Sequence, residues 1–222
     1  MPRFATQSWA TITGPRRRAY RLTDEDVFWA AKMAAFEGDP AEVLWTMTQR
    51  FAQATHPWNS FTEFIQAFSQ PINPKWQRTG VFCQPGGKGY RTRACEENRL
   101  ARRDRVAAMD WSELEALKPT AVAYTLTWAK GRLPNPVPGA INFAAPSVAQ
   151  RYLDRNPGAK LLAKRGNWFL SEGGSENWAA DAVSMFPPTG AAPAPAGGDV
   201  GAPGFFAVFW DRMSRPYRVR RG

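Results

Sequence analysis

Soft ligands and neutral-pH proton carriers are scarce in this chain: one histidine, His56, and two cysteines, Cys83 and Cys95, in 222 residues. A cysteine–histidine zinc site is therefore not expected, because no C-x-x-C pair exists and His56 is followed by a turn proline. The same scarcity argues against Ser-His-Asp and Cys-His catalysis, in which a third group must orient a histidine. Pro85-Gly-Gly-Lys-Gly-Tyr90 lacks the spacing of a phosphate-cradling loop and has no strand before it. Long apolar runs are missing too. The late candidate, Phe205–Trp210, falls far short of the ~20 residues a membrane-spanning helix needs. Met1–Trp9 contains no apolar stretch of the secretory-leader kind, so the expectation is a soluble cytosolic product that reaches any outside target by another route. Cys83 and Cys95 flank the Gly-rich loop, and both a disulfide and two free thiols remain open. No metal and no cofactor is expected.

What the chain has is positive charge and indole. The net charge is +10, with a pI near 10.1, against an ordinary globular balance of 44% hydrophobic and 22% charged residues. Such an excess suits a polyanionic partner: nucleic acid, anionic lipid or an acidic bacterial envelope. Ten Trp stand beside five Tyr, and indole faces stack on sugars as well as on bases.

Residues 1–22, with Arg16-Arg-Arg18, read as a solvated basic N-terminal arm. Thr23 then caps a first helix with acidic residues in its first turn, and Val27, Phe28, Ala31, Ala34 and Ala35 form its apolar face. That helix delivers Glu37 onto the break Gly38-Asp39-Pro40. Asp39 caps the next helix, with Pro40 at its first position, Glu42 completing a capping-box pattern, and Val43, Leu44, Met47 and Phe51 as its buried stripe. Ser60 caps a third helix, ended by Pro71 and Pro74, and residues 71–92 read as a long loop. A very basic helix is expected from about Cys95 to Met109, a short one from Ser112, and another over Pro119–Gly131. Ala140–Ala144 and Lys164–Leu170 read as short strand-like pieces on either side of a helix capped at Ser147.

The expected organisation is an arm (1–22), a domain (23–185), a Pro/Gly/Ala linker (186–204) and an aromatic-basic docking tail (205–222). With histidine and thiol chemistry set aside, the remaining candidate is a carboxylate. Glu37, at the end of an apolar helix near Trp29, Phe36 and Trp45, has the setting in which desolvation raises a general acid's pKa. Asp39 is better explained as a helix cap.

Several segments follow one another in an order that resembles the cell-wall hydrolase family typified by spore-cortex-lytic enzymes, a lysozyme-like group of lytic transglycosylases and glycosidases. They are Glu37-Gly-Asp-Pro40, Gln49-Arg50, His56-Pro-Trp-Asn-Ser-Phe61, Trp128-Ala-Lys-Gly131, Gly139-Ala-Ile-Asn-Phe143 and Gly166-Asn-Trp-Phe169, spanning residues 24–170. One departure is that Glu37 touches Gly38 directly, whereas the family glutamate stands a few residues earlier.

The resemblance implies a mainly α (α+β) chain: a lysozyme-like helical domain with a small β element, plus the linker and tail. It implies cleavage of the β-1,4 glycan strands of peptidoglycan, with Glu37 protonating the leaving oxygen and Gln49, Asn142 and Trp168 as saccharide walls. With the basic balance and the tail, it suggests a phage virion-associated enzyme that contacts other virion proteins and opens the host wall for genome entry. A cytosolic endolysin is the other delivery. The competing reading is a non-enzymatic structural or nucleic-acid-binding virion protein, in which the Arg-rich helix and basic ends serve DNA or capsid contacts.

Overall fold

A computed structural model describes residues 8–15, 17–54, 58–72, 104–177 and 182–188. Cys83, Cys95, the Gly-rich loop, His56 with Pro57, most of the Arg-rich helix, and the linker and tail from residue 189 lie outside the described residues.

The chain is α+β. Helices α1 (Asp24–Glu37), α2 (Pro40–Gln53) and α3 (Phe61–Phe68) are followed by a 3₁₀ turn, Gln70–Ile72. After the helical residues 104–108 come α4 (Trp111–Leu117), α5 (Pro119–Ala129) and α6 (Pro146–Arg155). The strands form two antiparallel three-stranded sheets. One has the order β2–β1–β6, from Thr11–Gly14 (β1), Arg17–Arg21 (β2) and Ser184–Phe186 (β6). The other has the order β3–β5–β4, from Asn142–Ala144 (β3), Lys160–Lys164 (β4) and Trp168–Ser171 (β5).

The first sheet corrects the expectation of a solvated arm. Residues 8–22 belong to the domain: Trp9, Ala10, Ile12 and Leu22 are buried in the main core, and β1 pairs with β2 on one side and β6 on the other. Ile12 between Thr11 and Thr13 is the alternation of a half-buried strand, which the neighbouring arginine run obscures. The hairpin lies so close to α2 that a Cβ on Gly14 would stand 2.5 Å from the Ala52 Cβ, so only glycine fits. β6 also carries ordered structure past the expected domain end, since Phe186 is paired with Thr11. Likewise Lys164–Leu170 is no single strand. It is the turn of the β4–β5 hairpin and part of each strand.

α1, rich in alanine, packs against α2, α3 and α5, because Ala30, Ala31 and Ala34 let neighbouring backbones approach. Phe51 is fully buried at the centre. Its ring meets Tyr20 and Phe61 edge-on at 5.2 Å and Phe64 at 5.3 Å. Beside it the buried Trp128 donates its indole N–H to the Thr48 hydroxyl at 3.0 Å, which pins α5 to α2. Three of the expected caps form as local hydrogen bonds: Thr23 and Asp26 make a capping box, and Asp39 and Ser60 accept from their helices' first-turn amides. Ser147 does not cap: α6 already starts at Pro146, after Ala145, with no side-chain cap. Glu42 differs from expectation. Its carboxylate pairs with Arg165 on the β4–β5 hairpin, tying the start of α2 to the second sheet. Burial pushes its pKa up, against the pull of Arg165.

Candidate functional site

Glu37 is the last residue of α1. The helix stops there because Gly38 takes φ +153, a conformation L side chains rarely adopt, and Asp39 immediately caps α2. Asp39 Oδ1 accepts from the Ala41 and Glu42 amides at 3.0 and 3.2 Å, so this carboxylate is a helix cap. A Cβ on Gly38 would come within 3.0 Å of Asn167 Nδ2. The turn of the β4–β5 hairpin therefore sits directly against the α1–α2 break, and the Glu42–Arg165 pair holds it there.

The Glu37 carboxylate is half-buried, and its Oε1 accepts from the Ser69 hydroxyl at 2.8 Å. Ser69 ends α3, with its backbone N–H on the Ile65 carbonyl, so α3 supplies a fixed donor to the end of α1. Phe36 packs partly buried next to it. Of the other aromatics expected nearby, Trp45 is buried and donates to the Leu133 carbonyl at 3.1 Å, whereas the Trp29 ring lies under the Lys32 ammonium.

The three expected saccharide contacts are placed differently from one another. Gln49 is buried and its amide is committed internally: Nε2 donates to the Val137 and Ala140 carbonyls, and Oε1 accepts from Asn135 Nδ2 and the Gly139 N–H. It is a staple between α2 and the connection leading to β3. Asn142, on β3, is also buried, and donates to Glu172 Oε2 at 3.1 Å and to the Tyr152 hydroxyl at 3.4 Å. Its Oδ1 has no hydrogen-bond partner. Trp168, on β5, is half-buried against the Tyr152–Leu170 cluster with the Lys164 ammonium 4.6 Å from its ring centroid, a cation–π contact on that ring.

A second carboxylate, Glu172, escaped the sequence reading. It follows β5 directly. Its Oε2 accepts from the Tyr152 phenol at 2.6 Å as well as from Asn142, and its backbone carbonyl accepts from Gln53 Nε2 at 3.3 Å. Arg50, one turn before Gln53 on α2, stacks its guanidinium 4.1 Å from the Phe68 ring centroid. Burial pushes the Arg50 pKa down to about 10, opposed by the charges of Tyr152 and Glu172. Burial, the bond to Glu172 and its charge together push the Tyr152 phenol well above its ordinary value, so it remains a donor. The local signal for Glu172 was only a glutamate before Gly173-Gly174 at a strand end; its donors come from α2, α6 and β3.

Phe68 and Ser69 stand side by side at the end of α3. The Phe68 ring carries the Arg50 guanidinium, and the next residue donates to Glu37. Glu37, beside the start of α2, thus has a hydroxyl donor, and Glu172, beside the end of α2, has a phenol and an amide donor. A half-buried carboxyl held by one hydroxyl can serve as a proton donor. Among the described residues no group of three or more His, Cys, Asp or Glu is placed to hold a metal ion, and no helix is long and apolar enough to cross a membrane. No protein-family model matches the chain, nor does any curated protein or solved structure.

Proposed function

We propose that this chain cleaves the β-1,4 glycan strands of bacterial peptidoglycan, with Glu37 as general acid and then base, as a lytic transglycosylase or a glycoside hydrolase. The observation that carries the reading is the position of Glu37: last residue of an apolar helix, half-buried, held by Ser69, and set at a break against which an antiparallel hairpin is packed. That placement gives a proton donor partial desolvation at the end of the helix, beside the turn of the hairpin. A glycosidic oxygen leaves only if it is protonated as the bond breaks, so one positioned carboxylic acid is the minimum such a site needs. We attach to this activity a lysozyme-like fold and a phage virion acting on the host wall, to whose acidic polymers a net charge of +10 is suited.

Zymography on purified peptidoglycan with the wild type and Glu37→Gln tests the reading, followed by mass analysis of the released muropeptides. Clearing by the wild type that disappears in Glu37→Gln is the expected result. Anhydro-muramyl ends would assign transglycosylation, and reducing ends hydrolysis. Full activity in the variant would put the acid elsewhere. A wild type that leaves peptidoglycan intact and retains DNA would replace the proposal with the structural, nucleic-acid-binding reading.

A further inference from the structure

We infer that Asn167, in the turn of the β4–β5 hairpin, sets the specificity of this site: its amide holds the 2-acetamido group of a sugar at the scissile bond. The inference rests on the glycan-cleaving reading of Glu37 and adds to it the means by which the substrate is recognised.

The position of the turn is fixed by two ties. β4 ends at Lys164 and β5 begins at Trp168. The Arg165 N–H closes the turn on the Asn167 carbonyl at 2.9 Å, and the Arg165 guanidinium pairs with Glu42 in the first turn of α2. Asn167 is thereby set against the break at which α1 ends. Gly38 shows how closely. A Cβ there would stand 3.0 Å from Asn167 Nδ2, so the amide takes the space that a side chain at position 38 would fill. Consecutive Cα atoms lie ~3.8 Å apart, which puts the amide nitrogen within about 8.5 Å of the Glu37 Cα. A pyranose with its substituent on C2 bridges such a gap.

The amide is also unspent. An asparagine in a turn ordinarily bonds backbone groups a residue or two away. The Asn167 side chain makes no hydrogen bond among the described residues, and neither of its amide atoms is sealed from solvent. Gln49 and Asn142 contrast with it. All of the Gln49 amide's bonding is internal, and Asn142 Nδ2 is committed to Glu172 and Tyr152. Beside Asn167 there is room, since a Cβ on Gly166 would meet nothing within 4 Å.

Both sugars of peptidoglycan carry an acetamido group on C2, one bond from the anomeric carbon. A side-chain amide matches that group in both senses, donating N–H to its carbonyl and accepting its N–H on Oδ1. Neutrality suits the position as well, because a charged residue there would alter the proton affinity of Glu37. Holding the substituent on C2 orients C1, and the glycosidic oxygen on it, relative to the acid. Asn167 forms no covalent bond and moves no proton, so hydrolysis and transglycosylation are equally compatible with its role.

The test uses insoluble peptidoglycan in three forms: native, de-N-acetylated, and de-N-acetylated then re-acetylated with acetic anhydride. Muropeptide release and thermal unfolding are read for wild type, Glu37→Gln, Asn167→Ala and Asn167→Asp. Wild type should release about tenfold more slowly from the de-N-acetylated polymer and recover on the re-acetylated one, because a site built to bond a group rejects the analogue lacking it. Asn167→Ala should lose about tenfold on the native polymer and less than about twofold on the de-N-acetylated one. Its preference for the acetylated form then shrinks about fivefold or more, with unfolding as in wild type. Asn167→Asp keeps the side chain's size and sets a carboxylate beside Glu37, which then holds its proton more tightly. The alkaline limb of its pH–rate profile should therefore move up by ~0.5 unit or more. Three results, beside an inactive Glu37→Gln, would each overturn this inference and leave the glycan-cleaving reading standing. They are a wild type indifferent to acetylation or not restored by it, an Asn167→Ala with the wild-type preference, and an Asn167→Asp limb that stays put. An inactive wild type or a fully active Glu37→Gln would overturn the reading of Glu37 as well.

Discussion

α1 carries an acid near each end, and the two have opposite fates. Asp26, in the first turn, is fully buried and accepts five hydrogen bonds. Thr62 N–H and hydroxyl serve Oδ1; the Tyr20 phenol with Thr23 N–H and hydroxyl serve Oδ2. Those donors come from β2, the helix cap and α3, so this carboxylate ties three elements together and has little capacity left for a ligand. Glu37, at the other end, is half-buried and meets the Ser69 hydroxyl where the backbone breaks. Burial with full satisfaction makes a carboxylate structural, whereas Glu37 is only partly buried and stands where the backbone breaks. Lys32 lies between them, fully buried, its ammonium on the Ala107 carbonyl at 2.7 Å and over the rings of Phe28 and Trp29.

Four substitutions can break or sharpen this contrast. Glu37→Gln should lower glycan cleavage ~10³-fold, equivalent to about 4 kcal/mol of barrier, while leaving thermal unfolding almost unchanged. Asp26→Ala should do the reverse, costing about 3 kcal/mol of stability because five donors lose their acceptor, as denaturant titration would register. Equal losses of stability in the two variants would erase the distinction.

Gly38→Ala tests the break that separates Glu37 from α2. It should cost about 2 kcal/mol for the forced backbone at φ +153, and activity should fall with it. Loss of stability with full activity would mean that the break does not aim Glu37.

The smallest effect belongs to Lys32 and is read as pH dependence. Burial holds the folded-state ammonium at about 8 against an ordinary 10.5, with Glu113 and Asp110 pulling the other way. Between those values the unfolded chain binds more protons than the folded one, so stability rises with pH. The penalty is complete below about 8 and relieved as pH approaches 10.5. Wild type should therefore gain on Lys32→Met in that window when melting temperatures are compared; a constant gap would mean that Lys32 stays charged.

Much of the helical framework was legible because its signals are short-range. Thr23, Asp39 and Ser60 cap through amides two or three residues away. Gly131, at φ +67, follows α5 where the sequence put the helix's end. The reading weakened wherever partners are distant. Residues 8–22 looked like an arm because β1 takes its second neighbour from Ser184–Phe186, far along the chain. Glu42 had the spacing of a capping box, but Arg165 reaches it from the β4–β5 hairpin. The partners of Glu172 were invisible, for nothing next to it announces Tyr152 or Asn142.

By itself the sequence determined where α1, α2 and α3 start, which faces are apolar, that histidine and thiol chemistry have little to work with, and that Glu37 ends on a break. Tertiary structure alone decided that Asp26 is spent on the fold while Glu37 is only partly buried. It turned Gln49 into a staple for the 135–140 connection and surrounded Glu172 with donors. The reason is physical. Backbone caps are satisfied within a few residues, but the solvation of a side-chain charge is supplied by whatever the fold brings beside it.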